Sequence, residues 1–146
     1  MELTFVKRSG KADELIIRRI DGLIETISCP KQGILPHDMV HYAVESVLAH
    51  RGFLSLVKQG PAGFATGGGD SEEAIERLVE TFQAEMWGGR VSAEDLLATY
   101  THACEARSHE AAAISIDDVE AIRNRLDELV EQWNGVAING ELTVSF

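Results

Sequence analysis

The sequence predicts an α+β protein: an antiparallel sheet built from an N-terminal meander and a C-terminal hairpin, with one face packed by four or five helices. Three observations predict it. Residues 1–29 are rich in strand-forming side chains, the middle of the chain switches to a 3.6-residue apolar period, and residues 136–146 return to alternation around Asn139-Gly140. A sheet covered on one side by helices is the economical way to bury both kinds of apolar face. At 146 residues, 45% of them hydrophobic and 25% charged, the chain is expected to form one domain, residues 1–146, around its own core.

The elements follow in order. LTFVKR, ELIIRRI and GLIETIS read as three strands. Asp21-Gly22 between the last two is a two-residue type I′ hairpin signal, because both positions need positive φ. That register sets Ile20 opposite Leu23 and Arg18 opposite Glu25, the second pair a cross-strand ion pair. Pro36 then suits a helix start, where its missing N–H is not needed. Met39, Val40, Ala43, Val44, Val47 and Leu48 form an apolar stripe, His50 lies in the last turn, and Gly52 can cap the end. Residues 53–58 read as a short buried helix, and 60–69 (GPAGFATGGG) as a loop.

Three longer helices are predicted next. Asp70 can cap the first, with Glu73 three residues on, and Ile75, Leu78, Val79, Phe82 and Met86 line its buried face until Gly88-Gly89. Ser92 opens the second with Asp95 at the capping-box position, and Leu96, Leu97, Tyr100, Ala103 and Cys104 form its apolar side. Ser115 opens the third. Val119, Ile122, Leu126, Leu129, Val130 and Trp133 recur there at helical spacing, and Asn134-Gly135 closes it. Trp87 and Trp133 follow apolar stripes and are expected to anchor a core or an interface.

Charge bounds the partners. The net charge is −11, and it is uneven: residues 1–35 carry six Lys/Arg against five Asp/Glu, while residues 36–146 carry seven against nineteen. An acidic body repels phosphate backbones and anionic lipid headgroups, so neither nucleic acid nor a membrane is an expected partner. No apolar run approaches the ~20 residues of a membrane span. Two cysteines and no apolar leader point to reduced thiols in a cytoplasm.

The chemistry-bearing residues concentrate in Leu35-Pro36-His37-Asp38-Met39-Val40-His41-Tyr42-Ala43-Val44-Glu45. HDMVH differs by one methylene from HExxH, in which histidines at i and i+4 hold zinc and the glutamate activates its water. At about 100° per residue, His41 falls ~40° and Glu45 ~80° round from His37, a ridge along the rim of the apolar stripe. One reading is a divalent metal such as zinc held by His37, His41 and Glu45, with Asp38 as general base. His102, in THACEARSHE with Cys104, Glu105, His109 and Glu110, could complete a three-histidine site if its helix packs beside the first. His102 and His109 share a face if that helix reaches both. The other reading is plain structure: Asp38 favours the helix dipole, and the carboxylates of Asp38 and Glu45 can hydrogen-bond His41 along the surface. Cys104 reads as a core thiol, and His102 and Glu105 read as a solvated face. A Cys29–His37 nucleophile pair is a further alternative, needing a lowered thiol pKa. The glycine-rich loop lacks the GK[ST] of a phosphate cradle.

The stretch from ISCP through LPHDMVHYAVES to RGFLSLVKQG resembles a group of uncharacterised bacterial proteins with an LPHD-x-VH-x-x-VE core. The resemblance covers roughly residues 15–60. It implies that Leu35 to Glu45 is a motif, and it carries no activity to transfer. Two functions are therefore expected. One is a small non-catalytic module that binds an unidentified protein partner or assembles as a homo-oligomer, with no cofactor. The other is a metal-binding protein or metal-dependent hydrolase working through the histidine helix.

Overall fold

The computed structural model describes residues 1–31, 33–48, 52–59 and 69–146. The expectations for His50 and for residues 60–68 of the glycine-rich stretch lie outside the described residues. The elements run β1 (Glu2–Val6), β2 (Ala12–Arg18), β3 (Ile24–Pro30), α1 (His37–Val47), α2 (Phe53–Gln59), α3 (Asp70–Gly88), α4 (Ala93–Ala106), α5 (Ile116–Asn134) and β4 (Glu141–Ser145). The fold class is the predicted one: a four-stranded antiparallel sheet, order β3-β2-β1-β4, with helices on one face.

Strand alternation decides which face is covered. Leu3, Phe5, Leu15, Ile17 and Cys29 point into the core with Leu142 and Val144 packed beside them, while Thr4, Thr26 and Thr143 line the opposite face. On that outer face Thr4 and Thr143 share a hydroxyl hydrogen bond of 2.9 Å across β1 and β4. The helices contribute the residues that their periods foretold, among them Ile75, Leu78, Val79 and Phe82 from α3, Leu96 and Tyr100 from α4, and Val119, Ile122 and Leu129 from α5. Trp133 is buried, with the Lys7 ammonium 4.6 Å from its ring centre, whereas Trp87 is largely exposed. Among the described residues no helix is long and apolar enough to cross a membrane.

Four local expectations are corrected. The β2–β3 register pairs Arg18 with Ile24 and Ile17 with Glu25, one residue from the predicted alignment. Gly22 adopts φ +89°, and Arg19 and Leu23 close a three-residue loop in which a left-handed glycine follows the turn, in place of a two-residue type I′ turn. The ion pair consequently joins Arg19 to Glu25 at 3.2 Å, and Arg18 turns to Glu2. Secondly, the C-terminus supplies one strand and not a hairpin. Val136 N bonds back to Trp133 O, so its segment finishes α5 and leaves β4 to pair with β1.

The remaining two concern helix ends. α3 starts on Gly69 without a side-chain cap, so Asp70 is its first residue and not its cap. The capping residues Ser92 and Ser115 do act as read: each accepts a backbone N–H three residues on, and Asp118 returns the bond to Ser115. Finally, α4 ends at Ala106, where Ser108 takes φ +58° and His109 N bonds to Cys104 O. The helical face that was to join His102 to His109 therefore stops between them.

Candidate metal centre

α1 is the helix around which the others assemble. Its neighbours are α2, α3, α5 and the sheet edge at β3. Seven consecutive residues, Met39 to Glu45, are buried as a result, so the polar rim expected for His41 and Glu45 is covered by packing. The helix begins at Pro36, whose carbonyl accepts from the N–H groups of Met39 and Val40. His37 is thus the first residue of α1 and His41 lies one turn deeper.

The two rings converge. His37 Nε2 and His41 Nε2 are 3.2 Å apart, with ring centroids at 4.8 Å in an edge-on arrangement. The third group is Glu76 of α3, which sequence reasoning had not singled out. Its Oε1 is 3.0 Å from His37 Nε2 and its Oε2 is 2.7 Å from His41 Nε2. Two ligand atoms each ~2.0–2.1 Å from a zinc ion, at angles between octahedral and tetrahedral, stand about 2.9–3.4 Å apart. The Nε2–Nε2 separation falls within that window, while Glu76 meets the two rings with different oxygens, at 3.0 and 2.7 Å. Among the described residues, His37, His41 and Glu76 offer donor atoms that all lie within 4.8 Å of one another.

The outer nitrogens are held as well. His37 Nδ1–H donates to Gln83 Oε1 at 3.0 Å, and His41 Nδ1–H donates to Glu45 Oε2 at 3.1 Å. Glu76 and Gln83 are seven residues apart on α3 and so share the face that meets α1. With each Nδ1 engaged as a donor, a neutral ring presents its Nε2 lone pair toward Glu76. Two lone pairs and a carboxylate facing one another repel, so this arrangement balances only with a proton or a cation among them. Without an ion the proton resides on the histidines. Burial alone would depress the His41 imidazole, but the hydrogen bonds to Glu45 and Glu76 outweigh it and hold it up to about 9. His37 is lowered by burial and raised by Glu76, with a net upward shift. Burial would raise Glu76, yet the two imidazoles hold its carboxyl well below the usual range.

Glu45 lies behind His41 and is fully buried. Glu45, expected as third ligand, thus hydrogen-bonds the outer nitrogen of the second histidine, and Glu76 is the carboxylate that faces both Nε2 atoms. His102 is not brought to the centre: its side chain is 85% exposed on α4 and sits 3.9 Å from Glu105. His109 is near Asp70, also at 3.9 Å, and Cys104 is a core thiol. Asp38, the predicted base, lines the same pocket of about 180 Å³ as His37, His41, Glu76, Phe53 and Leu54. One of its oxygens accepts the Cys29 thiol proton at 3.1 Å. Burial, together with the negative charge of Asp38, pushes that thiol upward, opposite to what the Cys29–His37 nucleophile requires.

No signal in the sequence marks Glu76 among its neighbours Glu72, Glu73 and Glu80. Nor did a signal mark the buried state of Glu45, since Gly52 reads in the sequence as a helix cap. Gly52 is a glycine because a Cβ there would fall 2.6 Å from Glu45 Oε1. Comparison of the chain with protein-family models, curated proteins and solved structures gives no match in any of the three.

Proposed function

We propose that the chain is a divalent-metal protein whose ligands are His37, His41 and Glu76, and that it uses the ion for hydrolysis of a small substrate in the adjoining pocket. One observation carries the reading: two imidazole Nε2 atoms and a carboxylate converge, with donor atoms within 4.8 Å of one another, while both outer Nδ1 atoms are engaged. Two histidines and one carboxylate leave coordination positions open, as in catalytic zinc sites and in iron(II) centres. A bound ion of this kind lowers the pKa of its water to about 7 and so supplies a nucleophile at neutral pH. Asp38 is the candidate to take the proton of that water, because its carboxylate lines the same pocket. The hydrolytic step would then form a bond from the water oxygen to an electrophilic carbon and break the bond to the leaving group, which would take up the proton passed on by Asp38. Phe53 and Leu54 give the pocket an apolar wall, which suits a small substrate with an uncharged flank.

The test is metal analysis of protein purified without a histidine tag. Near-stoichiometric zinc, iron, manganese or nickel is expected, and His41→Ala and Glu76→Ala are expected to abolish it. An ion content well below one per chain after dialysis against each metal, or one unaffected by both substitutions, removes the reading.

A second reading, self-association, is favoured by a different region. Ile20, Leu23 and Ile24 are 82%, 59% and 54% exposed at the open end of β3, which is an edge of the sheet. An edge strand with apolar side chains is a template for pairing with a second copy about a two-fold axis. Light scattering on a size-exclusion column would show a dimer that Ile24→Lys dissolves; a monomer up to high micromolar concentration removes it.

A further inference from the structure

We propose that Glu45 is a positioning residue that joins the metal centre to the first turn of α2, so that ion binding at His41 and docking of α2 reinforce each other. The inference rests on the reading of His37, His41 and Glu76 as ligands.

The geometry is that of a carboxylate with every acceptor position engaged. Glu45 Oε2 takes His41 Nδ1–H at 3.1 Å and the backbone N–H of Leu54 at 3.2 Å. Its Oε1 takes the backbone N–H of Ser55 at 3.1 Å and the Ser55 hydroxyl at 3.2 Å. An ionised carboxylate offers about four lone-pair sites, and four donors are present. Three of them belong to α2. Burying a carboxylate this deeply is costly unless donors satisfy it, and those four do so here. If α2 moves away, Glu45 loses three of its four hydrogen bonds and is free to rotate off His41.

The same turn of α2 forms part of the pocket. Phe53 meets the His41 ring edge-on, with centroids 6.0 Å apart, and Phe53 and Leu54 both line the cavity beside the ligand atoms. Gly52 permits the close approach of this turn to Glu45. The front of His41 therefore faces the ligand atoms while its back is tied, through one carboxylate, to the segment that walls the pocket. An ion on Nε2 withdraws electron density from the ring and strengthens the Nδ1–H bond to Glu45, as an outer partner does for a metal-bound histidine. Coupling of this kind is reciprocal: whatever the ion contributes to α2 docking, docked α2 contributes to ion affinity.

Zinc titration by calorimetry, combined with hydrogen exchange of residues 53–59, tests this on the full chain. In the native protein, zinc is expected to slow exchange of the Leu54 and Ser55 amides by tenfold or more. Glu45→Gln is expected to bind zinc about 10–100-fold more weakly, the range for loss of an outer-shell partner, and zinc should no longer protect α2. Ser55→Ala removes one donor and touches neither ring. It is expected to weaken zinc several-fold and to halve or better the protection, and it decides the question if Glu45→Gln does not fold. Native zinc affinity in both folded variants, or zinc binding to the native chain with exchange at 53–59 unchanged, overturns the coupling while leaving the metal reading intact. Absence of zinc binding to the native chain, or binding insensitive to His41→Ala, overturns the metal reading itself.

Discussion

Two clusters of charge sit on opposite halves of α3, and they differ in what completes them. At the C-terminal end, Arg123 of α5 and Glu85 form an ion pair in which both side chains are buried, Nε donating at 3.2 Å and Nη2 donating both to Glu85 and, at 2.8 Å, to Val91 O. The guanidinium is always charged and planar, so this cluster carries its own cation, and hydrogen bonding to Glu85 moves Arg123 further up. Toward the N-terminal end, Glu76 faces two histidines whose charge depends on a proton. The first cluster needs nothing from solution. The second depends on a proton, which on the proposed reading a metal cation would replace, and that difference separates a cluster that holds helices together from the candidate site.

Breaking the closed cluster has the largest expected effect. Arg123→Ala leaves Glu85 buried without its partner, and loss of one member of a buried pair costs about 3–5 kcal/mol. Urea denaturation should show that loss as a shift in midpoint. Zinc affinity of the folded fraction should stay within a few-fold of native, because Arg123 contacts none of the ligands. If zinc binding disappears at urea-free conditions where the variant is still folded, the two clusters are coupled and the contrast fails.

The open cluster is sharpened by pH. His41 is raised from 6.5 to about 9 by Glu45 and Glu76 despite its burial, so its contribution to stability is complete below pH ~6.5 and is lost as pH rises through about 9. Glu76 is lowered from 4.5, so its contribution is present above pH ~4.5 and is lost as pH falls. Metal-free protein should therefore be most stable between these limits and should weaken from pH 6.5 to 9.5 in denaturant titrations. On the proposed metal reading, zinc would compete with the same protons. Its affinity should climb across that range by about tenfold per pH unit for each proton displaced, which calorimetry in buffers of different ionisation enthalpy measures directly. A flat zinc affinity between pH 6.5 and 8.5 would mean that the ion does not take the place of the histidine protons.

The contrast also marks what sequence reading reaches. Period and capping chemistry report which residues of one element share a face, so the helices of Val119 to Trp133 and Leu96 to Cys104, the caps Ser92 and Ser115, and the stacking of His37 with His41 were all visible. They do not report which face of another element arrives opposite. Glu76 looks like its acidic neighbours until α3 is laid against α1. Glu45 looks like a rim residue until α2 covers it, and Gly52, the residue that allows the covering, looks like a cap. Register is fragile for the same reason. One left-handed glycine in a three-residue loop moved every β2–β3 pair by one, and the helical exit of α5 took the residues that would have made a second hairpin.

The smallest effect is expected at His102, and it is the cleanest control on the comparison. Its residue type and its position on an amphipathic helix made it a conceivable fourth ligand, although a solvated face was the leading expectation there. What separates the two is surroundings: His41 is buried between two carboxylates, while His102 is 85% exposed on its side chain and its nearest acid, Glu105, is 3.9 Å away on the same helix. An exposed pair at that separation contributes little, since water screens it and both side chains remain free to move. His102→Ala should change stability by no more than about 0.5 kcal/mol and leave zinc stoichiometry and affinity at native values, with the same pH profile. A drop in zinc stoichiometry would mean that α4 lends a ligand from a neighbouring molecule, and would replace the two-histidine, one-carboxylate centre with a larger one.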